Sequence, residues 1–255
     1  KDYKSLLKEA QINIDNLPNC SEINPADAAT RYTGDLNRFA RYVGYTLNQE
    51  SFKFLMDPML NVGVEKVSAM GYGNAINALS DHEGGVAKYF SQRFAQVTNP
   101  PLDSLREADG MTLRMALGEK PHHGFTGSRQ IVVNSPVLLM TDILKIKAQT
   151  ETPWAKFDIL YSPDFKDTSL NEKLIVKAID KIANDVVKFS KVAGGIAILS
   201  DRHLSKKLAP IPMTLVISAI NQRLIEEGVR FKVSMVVESG QIYSSHHIAC
   251  ALGFG

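Results

Sequence analysis

One stretch of the chain contains the chemical groups that hydrolases use as nucleophile, acid and base, Ser200-Asp201-Arg202-His203. It directly follows an apolar run that predicts a β-strand, so it belongs to a strand end. A catalytic triad draws its members from separate loops, and the sequence has no G-x-S-x-G motif. We therefore favour a simpler interpretation, in which Asp201 caps the loop and Arg202 joins Lys206 and Lys207 in a basic edge.

Further titratable residues follow later in the chain. Glu238 ends another predicted strand, where a carboxylate is a candidate general base, although its commoner role is to accept the amides of the following loop. His246 and His247 begin a predicted helix, and His122 and His123 form a second pair. Adjacent helical residues point apart, whereas metal ligands are spaced at i, i+3 or i+4, so no metal site is predicted. His246 is a candidate group at the strand-end mouth, and a structural histidine is the favoured interpretation.

A glycine-containing segment, Gly71-Tyr72-Gly73-Asn74, raises the possibility of a phosphate-binding loop. The G-x-G-x-x-G motif requires glycine at position 76, which is Ile76, and no Walker lysine follows. A plain turn is the favoured interpretation.

The elements that position these residues are clearest in residues 151–255. Alternating periods of 2 and 3.6 residues predict a βαβαβα order, with parallel strands and right-handed crossovers, either in an open doubly wound sheet or in part of a barrel. The predicted strands are 157–161, 195–199 and 231–237, and the predicted helices are 170–193, 214–227 and 246–252. Ligands and partners meet the carboxyl ends of such strands, here 162–164, 200–203 and 238–241.

Residues 1–150 are predicted to be mostly helical or irregular. The predicted helices include 36–43, 86–94 and 105–117, the last with Ser104 as N-cap. A further helix is predicted to start at a capping box formed by Thr46 and Gln49 and to be broken or kinked by Pro58. Residues 120–129 lack an apolar period and are predicted to form an exposed loop.

Composition narrows the class of protein. The 255 residues are 44% hydrophobic and carry 29 basic against 27 acidic side chains, a net charge of +2, with no block of five like charges. This predicts a soluble globular protein that binds neither nucleic acid nor membrane. The longest apolar runs are far shorter than the ~18 residues of a membrane span.

Two cysteines at opposite ends of the chain, Cys20 and Cys250, indicate reduced thiols and a cytoplasmic protein. The first residue is Lys1, and the chain ends in an apolar segment, 248–254, followed by Gly255 without a polar tail. We therefore expect a domain excised from a longer chain.

One segment of the chain is specific enough to indicate a protein family. It reads Phe94-Ala95-Gln96-Val97-Thr98-Asn99-Pro100-Pro101-Leu102-Asp103-Ser104-Leu105-Arg106-Glu107. It resembles a hallmark of the central domain of glutamate synthase large subunits. The resemblance continues in order through 43–45, 59–71, 78–81, 135–138, 199–202, 209–212, 236–240 and 246–255. The sequence departs from the family at Tyr72 and Gly73, where paired aspartates are usual, and at 120–129.

The resemblance implies that residues 1–255 form one central domain, a degenerate, incomplete TIM-type (β/α) barrel related to the FMN barrel. Its partners would be the amidotransferase and FMN domains of the same chain and, through the full enzyme, a reductase subunit or ferredoxin. The full enzyme makes two glutamates from glutamine, 2-oxoglutarate and reductant, using FMN and an iron-sulfur cluster. The domain would position the two catalytic domains, help to wall the ammonia tunnel and have no turnover alone.

No catalytic, cofactor-binding or metal residue transfers to this segment from the family. The residues expected to face partners or the tunnel are Asn99, Asp201, Arg202, Glu238, His246 and His247. Two alternatives stay open. One is a free-standing α/β enzyme that uses strand-end residues on a small anionic metabolite, and the other is an FMN- or anion-binding module.

Overall fold

The computed structural model describes residues 9–18, 34–67, 71, 75, 79, 85–91, 93, 97–121 and 129–255. The predictions for Cys20, Tyr72, Gly73, His122 and His123 lie outside these residues. No helix in the described ranges has both the length and the apolar character to cross a bilayer.

The described residues of the first half include three strands and four α-helices. They are β1 (Gln11–Asn13), α1 (Arg38–Gly44), α2 (Asp57–Val62), α3 (Ser104–Gly110), β2 (Met115–Leu117), β3 (Gln130–Val133) and α4 (Met140–Ala148). β3 is buried along its whole length, between β1, which runs parallel to it, and β2, which runs antiparallel. This small sheet was not predicted from the sequence.

The second half contains the predicted alternation of strands and helices. Its elements are β4 (Trp154–Asp158), β5 (Leu160–Tyr161), α5 (Asn171–Val192), β6 (Gly195–Ser200), β7 (Ala209–Pro210), α6 (Met213–Glu226), β8 (Val233–Glu238) and α7 (Ser245–Phe254). β4, β6 and β8 form a parallel sheet in the order β4-β6-β8, and β5 pairs antiparallel with β7. The predicted βαβαβα order is therefore confirmed, although the first parallel strand is Trp154–Asp158 and not 157–161, because Leu160–Tyr161 pairs with β7.

The parallel sheet packs between two hydrophobic cores. Ala197 and Leu199 of β6 face a core formed with α5 and α6. The alternate residues Ile196 and Ile198 face a second core that includes residues of β3 and α4. A strand buried on both faces has apolar residues at successive positions, which explains the unbroken apolar run of β6.

The strands of the described ranges do not close into a barrel. The structure establishes a mixed α/β fold with a parallel sheet flanked by helices.

Several local predictions for the first half were wrong. α3 ends at Gly110 instead of running to 117, because Met115–Leu117 pairs with β3. Residues Val86–Tyr89 form only a 3₁₀ turn, after which Phe90 is extended. Tertiary pairing and packing override helical periodicity in short segments of this kind.

Helix starts also differ from the predicted capping residues. Asp103, not Ser104, caps α3 by accepting the amides of Leu105 and Arg106. The segment after α1 is a π-helical turn, Ser51–Met56, which leads directly into α2. Pro58 lies in the first turn of α2, directly after this π-helical turn, and the helical stretch continues past it to Val62, so the proline does not end the helix.

Candidate functional site

The carboxyl edge of the parallel sheet brings three polar side chains into one row. The register pairs Asp158 with Ser200 and Ser200 with Glu238. Neighbouring strands lie about 4.8 Å apart. The loops after β6 and β8 therefore meet at this edge, as the predicted order of elements requires.

Glu238 is the centre of a charged cluster. Its carboxylate accepts a hydrogen bond from Ser200 Oγ at 2.9 Å and from Arg202 Nη1 at 3.1 Å, and Lys147 Nζ lies 3.7 Å away. Burial raises the pKa of Glu238, but the Ser200 hydrogen bond and the charges of Lys147 and Arg202 outweigh it, so the pKa is lowered overall. The carboxylate is ionised at neutral pH and acts as the counter-ion of two cations.

Asp201 ties the loop after β6 to the loop after β8. It is fully buried, and its carboxylate accepts hydrogen bonds from Ser239 Oγ, from Gly240 N at 3.2 Å and from Gln241 Nε2 at 3.0 Å. Burial raises the pKa of Asp201, and the charge of Glu238 adds to this, while the three hydrogen bonds oppose it. The loop-holding role foreseen for Glu238 thus belongs to Asp201.

Tyr45, just after α1, covers these loops from the first half of the chain. Its ring lies over Gly240 so closely that a Cβ there would come within 2.7 Å of it, and its hydroxyl donates to the Asp201 carbonyl at 3.4 Å. Glycine at 240 is therefore required by packing.

His203 belongs to a more exposed group on the β4 side of the edge. Its Nδ1 lies 3.2 Å from both Asp158 Oδ1 and Lys156 Nζ, which itself lies 3.1 Å from Asp158. Lys156 and His203 thus both contact the Asp158 carboxylate at the surface, where ion pairs contribute little to stability.

His246 and His247 lie at the start of α7 with different surroundings. His246 Nε2 donates to the Ala87 carbonyl at 2.7 Å, so it holds residues 85–91 against the helix. The His247 ring lies against the Tyr243 ring, with centroids 4.2 Å apart and planes tilted by 42°, and it contacts the N-cap Ser244. Burial, followed by the charge of His246, lowers the pKa of His247 to about 4, against a weaker opposing effect of Glu65. Each histidine therefore has its own partners, the Ala87 carbonyl for His246 and the Tyr243 ring with Ser244 for His247.

Asn99 is exposed in a bend before α3, and no contact among the described residues joins it to the strand ends. The structure therefore brings together Asp201, Arg202 and Glu238, and it places His246 and His247 on a separate element.

The chemistry open to this cluster is limited by burial. Ser200 and Asp201 are fully buried, and Ser200 Oγ is already bonded to Glu238, so this hydroxyl is not presented to a substrate. Within the described ranges, no group of three or more His, Cys, Asp or Glu side chains has a metal-binding arrangement. The cluster holds two loops together and leaves Arg202 and Lys147 partly exposed.

The sequence analysis did not identify Lys147 and Glu65 as partners of the strand-end and α7 residues. Lys147 reaches Glu238 from α4, an element outside the βαβαβα series. Glu65 accepts hydrogen bonds from the backbone and hydroxyl of Ser245, 180 residues away. Nothing in the local sequence around either residue signals such a partner.

Comparison with known proteins gives a consistent result. The family model described as glutamate synthase central domain matches residues 40–255. The ferredoxin-dependent glutamate synthase of Cyanidium caldarium is 34% identical over 223 residues, 85% of this chain and 14% of the relative. The glutamate synthase [NADPH] large chain of Bacillus subtilis (strain 168) is 30% identical over 258 residues, 99% of this chain and 16% of the relative. The chain therefore spans only about a seventh of the length of these relatives.

Proposed function

Because this chain belongs to the glutamate synthase central-domain family, we propose that it is the connecting domain of a glutamate synthase large chain. The observation on which this proposal rests is the family match over residues 40–255. The aligned region also makes up only 14% and 16% of the length of two glutamate synthases. The activity then belongs to the whole polypeptide, and this domain has no turnover alone.

In the proposed enzyme, an amidotransferase domain releases the amide nitrogen of glutamine as ammonia. A second domain, which contains FMN and an iron-sulfur cluster, uses that ammonia and reductant to convert 2-oxoglutarate to glutamate. The central domain holds these two domains at a fixed separation and helps to wall the path between them. A path closed to bulk water prevents loss and protonation of the intermediate.

The cross-bonded loops at the sheet edge support this rigid role. Asp201 joins the loops after β6 and β8 through three hydrogen bonds, and Glu238 joins β6, β8 and α4. A scaffold that fixes distances between neighbours needs loops that do not move, and buried, fully bonded carboxylates supply them.

Exposed apolar side chains support contacts with neighbouring domains. In the hallmark segment, Val97, Leu102 and Leu105 are all exposed, and so is Leu252 near the other end of the chain. Apolar surface of this kind is typical of protein interfaces. We also infer that the three βα units descend from a barrel related to the FMN barrel, since strands that follow one another in sequence are parallel neighbours here, as they are in a (β/α) barrel.

The FMN- or anion-binding alternative fits the strand-end residues poorly. A phosphate would need free backbone amides, but the Gly240 amide donates to Asp201 and the Gln241 amide donates to Ser239 Oγ. The two cations at this edge, Lys147 and Arg202, are already paired with Glu238.

The first experiment is to sequence the natural reading frame through both ends of this segment. We expect an upstream amidotransferase domain with an N-terminal cysteine and a downstream glycine-rich barrel with clustered cysteines. A frame that starts and stops near residues 1 and 255 would contradict the proposal.

The free-standing enzyme makes a different prediction for the purified chain. It should then bind 2-oxoglutarate, a small anionic metabolite, saturably, and Arg202→Ala should abolish that binding. The connecting-domain proposal expects no saturable binding by either the wild-type chain or the variant, measured by calorimetry.

A further inference from the structure

β8 lies at one side of the parallel sheet, and β6 pairs with only one of its two edges. The amide of Asp201, just after β6, donates to the carbonyl of Glu238 at 3.2 Å, so the backbone groups of Glu238 point towards β6. Successive residues of a strand direct their backbone groups to opposite sides. Those of Met235 and Val237 therefore point away from β6 and form the outer edge of β8.

The outer edge of β8 has backbone groups without partners among the described residues. At its start, the carbonyl of Val233 accepts from Arg230 Nη1 at 2.8 Å. Beyond it, no described residue hydrogen-bonds the outward amide or carbonyl of Met235 or Val237. Both residues are half-buried, and their side chains pack against the core formed with α5 and α6. Half-buried backbone groups of this kind are normally paired, so this edge is suited to receive another strand.

The opposite edge of the sheet, on β4, has different side chains. There the Ile159 amide donates to the Ser200 carbonyl at 2.9 Å, so the backbone groups of Lys156 and Asp158 point outward. Charged side chains, lysine above all, are a common means by which edge strands avoid further pairing. β8 has no charged side chain from position 233 to position 237. The sheet is therefore protected at β4 and open to pairing at β8.

α7 returns the chain to the start of β8. The helices α5, α6 and α7 lie side by side, with α6 in contact with both others. Arg230, three residues before β8, donates from Nη2 to the Gly255 carbonyl at 2.6 Å, and a Cβ on Gly255 would lie 2.8 Å from the Met235 side chain. Gly255 is thus held beside β8, towards the amino end of the sheet. A right-handed crossover through α7 leads to this position, and the strand that follows such a crossover lies beside β8.

We propose that the residues following Gly255 in the full polypeptide form a fourth parallel strand on the outer edge of β8. The inference rests on the proposed function, which places further chain after Gly255. Two residues, 193–194, separate α5 from β6, and six, 227–232, separate α6 from β8. The fourth strand should therefore begin after a loop of two to six residues beyond α7. Backbone hydrogen bonds would then fix the downstream chain to this sheet, where a free linker would leave it mobile.

Hydrogen exchange of β8 in the full natural polypeptide tests the proposal. The outer amides, Met235 and Val237, are compared with the inner amides, Ser234 and Val236, which donate to β6. With a fourth strand, all four should exchange equally slowly. With an open edge, the outer amides should exchange about tenfold faster or more, so that protection alternates along the strand. Mass spectrometry with electron-transfer fragmentation resolves the single amides, and an alternating pattern would overturn the proposal.

A sequence replacement identifies the segment that protects the outer amides. About ten residues that begin two residues after α7 are exchanged for glycine and serine, a run long enough to include a strand of ordinary length. The outer amides should then exchange quickly, while slow inner amides report that β8 is still folded. Continued slow exchange of the outer amides would show that another segment or a second copy covers them, and the proposal would be wrong.

A point variant tests the anchor at Gly255. Arg230→Gln removes the donor to the Gly255 carbonyl and should speed exchange of the outer amides several-fold more than that of the inner amides. Arg223→Gln is the matched control, because Arg223 contacts Asp180 and Asn184 on α5 and is far from this edge in its contacts. It should leave the ratio of outer to inner rates unchanged. An equal rise at all four amides after Arg230→Gln would mean that Arg230 stabilises β8 alone.

The structure of the unaltered polypeptide, determined by cryo-electron microscopy, is an independent measurement. We expect the segment just after Gly255 to pair in parallel with Met235 and Val237. If the polypeptide continues past Gly255 but this edge pairs with another segment, with a second copy or with nothing, the strand proposal is wrong and the proposed function stands. If the natural frame ends near residue 255, both fail.

Discussion

The two halves of the chain place similar apolar residues in opposite environments. In residues 151–255, Leu199 is 0% exposed between two long helices of 22 and 14 residues. In residues 34–115, Leu60 is 79% and Leu105 is 81% exposed, on helices of six and seven residues that bury no described side chain. Isolated helices this short are unstable in water. The comparison indicates that the long helices of the second half enclose a core, whereas the short helices α2 and α3 leave apolar side chains for other contacts.

The largest expected difference in the free energy of unfolding is between two leucine-to-alanine variants, one in each half. Leu199→Ala removes a buried side chain of β6 and should destabilise the chain by about 2 to 5 kcal/mol. Leu60→Ala on α2 should change stability by less than about 0.5 kcal/mol. Urea unfolding followed by circular dichroism measures both. Equal losses would show that Leu60 is part of the core.

The next effect concerns the junction between the halves, at His247. Above pH 6.5 the histidine is neutral in both states, and stability is complete. As pH falls from 6.5 towards 4, the unfolded state binds a proton that the folded state does not, because burial lowers the folded pKa of His247 to about 4. Stability should therefore fall by up to about 3 kcal/mol over this range.

The variant His247→Gln should lose this pH dependence, and the exposed His203→Gln should retain it. Urea midpoints measured from pH 7 to pH 4.5 compare the three proteins. The assignment to His247 is wrong if its variant keeps the wild-type slope.

A smaller loss is expected at the strand-end cluster. Glu238→Gln leaves Arg202 and Lys147 without their counter-ion and should destabilise the chain by about 1 to 2 kcal/mol, since both cations remain partly hydrated. The matched control Asp158→Asn, in the exposed row position on β4, should cost less than about 0.5 kcal/mol. Thermal unfolding at neutral pH distinguishes them, and a reversed order would contradict our account of the cluster.

The smallest change in global stability is expected when the cap of α3, in the first half, is removed, and the cap of α7 serves for comparison. Ser244→Ala at the cap of α7 should destabilise the whole fold by about 1 kcal/mol. Asp103→Ala at the cap of α3 should leave global stability unchanged while hydrogen exchange of α3 amides becomes faster. A comparable drop in Tm for both variants would mean that α3 unfolds together with the core.

The sequence predicted the second half well because its elements are long and periodic. α5 and the buried strand β6 are each specified by many residues that repeat one pattern, and packing reinforces that pattern. The parallel order then placed Asp201, Arg202 and Glu238 at one edge.

The first half was harder to predict because its short segments are decided by distant partners. β2 has only three residues and becomes a strand through pairing with β3. The 3₁₀ turn near Ala87 is held by His246, 159 residues away. The same limit explains why Lys147 and Glu65 were missed, since no local pattern records a contact across the fold.

The burial of β6 on both faces has a consequence for dissecting the chain. A fragment of residues 151–255 would expose Ile196, Ile198 and Val236, which the first-half strands and α4 now cover. That bare sheet face would make the fragment prone to aggregate. The parallel sheet and the small β1–β3 sheet share this core, so we expect them to unfold together.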